Sequence, residues 1–132
     1  MIGDRILVNK LSYHLHAVGR GDIVVFATPP KEAADTTIKD LVKRVIGLPG
    51  DTISSAQGRV YINGKPLHEP WLPPGTVTTG IATQKVPSNE YFVMGDNRAD
   101  SQDSRFFGPI PRSLIVGKVV LRIWPLSRLG LF

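Results

Sequence analysis

Between Gly95 and Pro109 the chain reads GDNRADSQDSRFFGP, a turn-rich segment holding three Asp, two Arg and two Ser. Carboxylates at this density first suggest a calcium loop, in which oxygen ligands recur at every second position. Counted from Asp96, those positions hold Asp96, Arg98 and Asp100, and an arginine cannot coordinate a cation. The three histidines, His14, His16 and His68, show no ligand-type grouping with carboxylates. Neither a metal centre nor a Ser-His-Asp triad is therefore supported, and no metal or cofactor site is expected. His14 and His16 are expected to flank a strand end. Read on its own, the loop is a solvated surface segment whose Asp and Ser side chains bond their own backbone in local turns.

A second unusual placement is LVKRVIGLPGD, Leu41 to Asp51, where two adjacent basic residues sit inside an apolar run. If Leu41 to Ile46 is a strand, Lys43 shares one face with Leu41 and Val45, while Arg44 shares the other with Val42 and Ile46. Neither face is cleanly polar. The simplest reading is an edge strand carrying protective charges, its Lys and Arg stems lying on apolar surface with their heads in water.

The elements that must position these segments read as strands: DRILVNK, DIVVFA, LVKRVIGL, RVYINGKPL, EYFVMGD and GKVVLRIWPL. Each is rich in β-branched or aromatic residues, and most are bounded by Gly, Pro, Asn or Asp. Asn63-Gly64 suits a type I′ hairpin turn. One helix-like turn is predicted around PRSLI. Two segments, residues 27–40 and 69–90, are rich in Pro, Thr and charge and are expected to be loops outside the core. The fold class is thus all-β, mainly antiparallel sheets, partly barrel-like, with long loops. A length of 132 residues, 42% of them hydrophobic, suits one domain spanning 1–132 with its own core.

Thirteen glycines and eleven prolines, scattered along the chain, leave little room for long helices. The formal net charge of +5 would suit nucleic acid or anionic lipid. Its basic residues are dispersed, however, and no aromatic platform interleaves them, so a nucleic-acid-binding barrel is not expected. The absence of cysteine excludes disulfides and thiolate metal sites. Lys118, Arg122 and Pro125 interrupt the best apolar run, so no membrane span of about 18 apolar residues is expected.

GDNRADSQDSRFFGPIP resembles the Gly-Asp-Asn-Arg-x-x-Ser-x-Asp-Ser-Arg signature of the type I signal peptidases, and KRVIGLPGD resembles that family's Lys-Arg-x-x-Gly-x-Pro-Gly-Asp box. GDIVVF, Gly21 to Phe26, resembles a third box, and GDRILVNKLSY resembles the segment that follows the family's nucleophile motif. The motifs agree in order and span nearly the whole chain.

That resemblance implies a serine-lysine endopeptidase that removes signal peptides after Ala-x-Ala-like sites. It implies Lys43 as general base and Ser101 as the hydroxyl that orients the lysine amine. Asp103 and Arg105 would form an ion pair beside the site, with Arg44 as a further partner. Gly95 would permit close backbone approach beneath the lysine, and Asp96, Asn97 and Arg98 complete the supporting loop. Burial among Leu41, Val42 and Val45 would favour the neutral amine that a base requires.

Leu41 and Val42 are the expected substrate contacts, pairing with an extended signal peptide. The resemblance places the nucleophile serine ahead of Gly3-Asp4, before Met1, together with the family's membrane anchor, so the chain alone is expected to be inactive. Its place would be the extracytoplasmic face of the plasma membrane. By residue type, Trp124 suits either the core or the lipid interface, and Leu129, Leu131 and Phe132 could dip into that interface, where Arg122 and Arg128 would favour anionic headgroups. The alternatives are a self-cleaving Ser-Lys peptidase of the SOS-repressor type, against which the full Asp-Ser-Arg loop argues, and a non-catalytic peptide- or membrane-binding β module.

Overall fold

The computed structural model describes residues 6–9, 18–28, 40–99 and 102–121. Two mainly antiparallel sheets are built from β1 (Ile6–Asn9), β2 (Ile23–Phe26), β3 (Leu41–Gly47), β4 (Thr52–Ala56), β5 (Arg59–Ile62), β6 (Lys65–Pro66), β7 (Gln84–Lys85), β8 (Glu90–Met94), β9 (Ile110–Pro111) and β10 (Ile115–Leu121). The larger sheet has the order β1-β10-β2-β3-β8-β9 and the smaller β6-β5-β4-β7. The all-β expectation is borne out. A single helical turn, α1 (Ser104–Phe107), and a 3₁₀ turn at Arg112–Leu114 interrupt the strands; the latter lies in the segment where the sequence predicts helix-like structure.

β3 and β8 lie side by side in the larger sheet and have a core on each face. Val45, Tyr91 and Val93 pack with Val24, Phe26, Phe107, Ile110 and Ile115 on one side. Ile46, Phe92 and Met94 pack with Ile53, Val60, Ile62, Ile81 and Val86 on the other. A strand buried on both faces needs an unbroken apolar run rather than a polar–apolar alternation, which accounts for the sequence of β3. It also overturns the reading of β3 as an edge strand, because β2 and β8 flank it.

The smaller sheet depends on two tight turns. Gln57-Gly58 (φ 52° and 77°) and Asn63-Gly64 (φ 53° and 83°) both take the left-handed pairs that a two-residue hairpin demands, so the predicted Asn-Gly turn forms. The 69–90 segment departs from expectation. Thr78, Ile81 and Val86 are at most 5% exposed, and Gln84–Lys85 pair with Thr52 and Ile53. Backbone bonds from Val86 N to Asp51 O (2.7 Å) and from Gly50 N to Val86 O (2.9 Å) dock the segment on β4, burying its few apolar side chains despite its polar composition.

Candidate active site

Lys43 lies in the middle of β3, opposite Val24 of β2, on the face that carries Val45. The residue is only 6% exposed, so the picture of a lysine head in water does not hold. Desolvation by this burial pushes its pKa below the ordinary value of 10.5. Asp103 opposes that push and Arg105 adds to it. The net direction is downward, toward the neutral amine.

Two charged residues of the segment after β8, Asp103 and Arg105, act on this lysine. The last pair of the β3–β8 ladder is Arg44 with Met94, so the same antiparallel register sets Gly95, a residue without a side chain, across from Lys43. Gly95 N donates to Asp103 Oδ2 at 3.2 Å. Asp103 is fully buried and is held in a two-pronged pair by Arg105, with Nε to Oδ1 at 2.9 Å and Nη2 to Oδ2 at 2.8 Å. Arg105 Nη1 reaches back to the carbonyl of Arg98 at 2.9 Å. The loop is therefore closed on itself, and Asp103 presents to Lys43 a charge already matched by a guanidinium.

A four-residue helix cannot sustain itself, and α1 is held from outside. Asp103 Oδ1 caps it by accepting from Arg105 N at 3.1 Å. Ser104 Oγ accepts from Val93 N at 2.9 Å, tying the turn to β8. Phe107 packs edge-on against Phe26, with ring centroids 6.2 Å apart; burying such a side chain contributes about 1.5–3 kcal/mol. The DSRFF run thus anchors Asp103 and Arg105 between two strands of the larger sheet.

Arg44 takes a different partner from the one expected. Its guanidinium clasps Asp96, with Nε to Oδ1 at 3.0 Å and Nη2 to Oδ2 at 2.8 Å, donates to Gly21 O at 3.0 Å, and stacks 4.8 Å from the Trp71 ring. Alternation along β3 sends its side chain to the face opposite Lys43, away from the Asp103–Arg105 pair. Asn97 is exposed, whereas Arg98 is buried. Leu41 and Val42 are half-buried and pair with Phe26 and Val25 of β2. Their other edge lies beyond the end of the β3–β8 ladder, which begins at Arg44. Ser101, with Asp100, falls outside the described residues, as do His14, His16, Trp124 and the C-terminal apolar residues.

The family profile described as "Signal peptidase, peptidase S26" matches residues 1–124. This chain belongs to the signal peptidase family. A signal peptidase I of Leptolyngbya laminosa is 46% identical over 98% of this chain and 64% of its own length. A probable signal peptidase I-2 of Synechocystis is 42% identical over 98% of this chain and 59% of its own length. The chain thus spans about three fifths of the length of these relatives. A solved signal peptidase I from Enterococcus faecalis matches with a TM-score of 0.64 and 31% identity, covering 77% of this chain and 96% of that one.

The structure of this signal peptidase family member also brings in residues that sequence reasoning did not single out. Asp51, the last residue of the Pro-Gly-Asp box, accepts from Arg20 Nη1 (2.7 Å), Leu48 N (2.8 Å) and Asn63 Nδ2 (3.1 Å). Burial would raise its pKa, but those three donors outweigh burial and hold the carboxyl below its usual range. Glu69 and Thr78 meet Arg98. Neither has a local motif that announces it, since each lies twenty or more residues from its partner. Among the described residues, no cluster of His, Cys, Asp or Glu could hold a metal ion, and no helix is long and apolar enough to cross a membrane.

Proposed function

We propose that this chain carries the general-base half of a Ser–Lys endopeptidase that removes signal peptides from exported precursors after small residues. The observation that carries the reading is a lysine almost wholly buried on an apolar face, facing a carboxylate that an arginine already matches. A neutral Lys43 amine takes the proton of the nucleophile serine as its Oγ attacks the scissile carbonyl. The resulting ammonium then returns a proton to the departing amine. Ser101 supplies the hydroxyl that orients the lysine, and the nucleophile belongs, by motif order, to residues ahead of Gly3-Asp4.

The signal peptide enters as an extended strand along Leu41 and Val42, beyond the end of the described β3–β8 ladder. An added strand there draws its affinity from main-chain hydrogen bonds, while half-buried Leu41 and Val42 limit the size of the side chains admitted. The reaction takes place at the extracytoplasmic face of the plasma membrane, with Trp124 and the residues after it touching lipid. The same β3 edge would equally serve a module that binds peptides without cutting them, and one experiment separates the two. The chain extended by an upstream segment bearing the family's Ser-Met-x-Pro-Thr motif should cleave a signal-peptide substrate that the 132-residue chain leaves intact. Lys43→Ala and Lys43→Arg should both abolish that cleavage, since arginine stays charged. Cleavage surviving in Lys43→Arg would remove the lysine from the base role.

A further inference from the structure

Arg98 is buried more deeply than an arginine ordinarily is: its side chain is 0% exposed and that of Glu69 is 8% exposed. The guanidinium donates to Glu69 Oε2 at 2.6 Å, to Glu69 Oε1 at 3.3 Å, to Thr78 Oγ1 at 3.0 Å and, through Nε, to Gly95 O at 2.8 Å. A charge this deep is tolerated only when matched and fully hydrogen-bonded. Glu69 comes from the turn after β6, in the half of the chain that forms the smaller sheet, and Leu72 N bonds its carbonyl at 3.2 Å. Trp71, in the same turn, lies beneath Arg44. One turn therefore touches both the strand that carries Lys43 and the segment after β8.

The chain of contacts leads inward from Glu69. Arg98 fixes the Gly95 carbonyl on one side, and its own carbonyl accepts from Arg105 on the other. Gly95 N and Arg105 both hold Asp103. We propose that Glu69 is a positioning residue for Lys43: by matching Arg98 it holds Gly95, Arg98 and the Asp103–Arg105 pair in the arrangement through which they act on the lysine. Thr78 completes the acceptor set. Glu69 touches no reacting atom and acts through Arg98. The inference rests on the reading of Lys43 as a base, and its test separates the failure of one from the failure of the other.

The test is the titration of Lys43 in the 132-residue chain, followed by NMR of its ε-methylene signal, which Lys43→Met identifies by loss. Asp103 and Arg105, the charged groups that act on the lysine, stay unchanged in every variant. Glu69→Gln keeps the shape and removes the charge. Glu69→Leu combined with Arg98→Met removes both buried charges and leaves no unmatched ion. The expected result is a Lys43 midpoint below 10.5 in the parent and a higher one in both variants, because a loosened loop admits water and relieves the desolvation. Glu69→Gln should also lower the denaturation midpoint, while the double variant should recover stability without recovering the titration. A purely structural pair predicts the opposite, a refolded double variant that titrates like the parent. If Glu69→Gln fails to fold, the double variant decides. A depressed parent midpoint that the double variant leaves in place overturns the role of Glu69 alone. A parent Lys43 that titrates like an exposed lysine overturns the base reading as well.

Discussion

Replacing Asp103 by Asn tests the centre of the site with almost no change in volume. Asp103 receives four N–H groups: Gly95 N at 3.2 Å, Arg105 N at 3.1 Å, Arg105 Nε at 2.9 Å and Arg105 Nη2 at 2.8 Å. An asparagine can keep Oδ1 as the cap of α1, but its NH2 group then points at donors on the Oδ2 side. The charge that matched Arg105, whose side chain is 8% exposed, is gone, and the guanidinium is left buried without its carboxylate. Breaking a buried pair from one side costs about 3–5 kcal/mol. With a urea m-value of about 2 kcal/mol/M, that is a fall in midpoint of about 2 M. Loss of the carboxylate also removes a charge that raises Lys43, so its titration should move further down. Urea denaturation at neutral pH measures the first effect and NMR titration the second. A loss of less than about 1 kcal/mol would equate the pair with an exposed surface bridge and refute the argument from burial.

Lys43→Met should be more stable than the parent by about 1–3 kcal/mol near neutral pH, since it removes a polar group from an apolar face. The folded-state pKa lies below the unfolded value of 10.5, so the unfolded chain binds the extra proton between the two values. The gain should therefore be largest below the folded pKa and shrink as pH rises through 10.5; denaturation at several pH values gives the profile, and a flat one would count against a buried amine. Gly47→Ala should cost about 1–3 kcal/mol, because its Cβ would stand 3.0 Å from Phe92 Cβ and 3.1 Å from Val86 Cγ2 in the second core. An alanine variant as stable as the parent would mean that β3 and β8 can separate there at no cost.

What could be read from residues alone follows the range of the interactions. The β-branched runs and the Asn63-Gly64 turn act within a few residues, and the strands and hairpin they predict are present. β4 escaped because TISSA carries one large apolar residue, Ile53, and its partners are supplied by β5 and a distant segment. The burial of Lys43 could not be read from alternation, which assigns it a face without saying whether the strand is central. That depends on β8, whose Met94 pairs with Arg44 fifty residues earlier. Arg44–Asp96 and Arg98–Glu69 are separated by 52 and 29 residues, so the motifs name three of these four residues while only the fold names the pairs.

The adjacency of Lys43 and Arg44 then has a physical reason. A strand sends neighbouring side chains to opposite faces, and here the two faces treat a cation differently. Arg44 meets Asp96, which no other described cation shares, and remains a structural ion. Lys43 meets Asp103, whose charge Arg105 already matches, and desolvation outweighs what attraction remains. Two basic residues in succession thus become one ion that clasps Asp96 and one amine whose charged form burial disfavours.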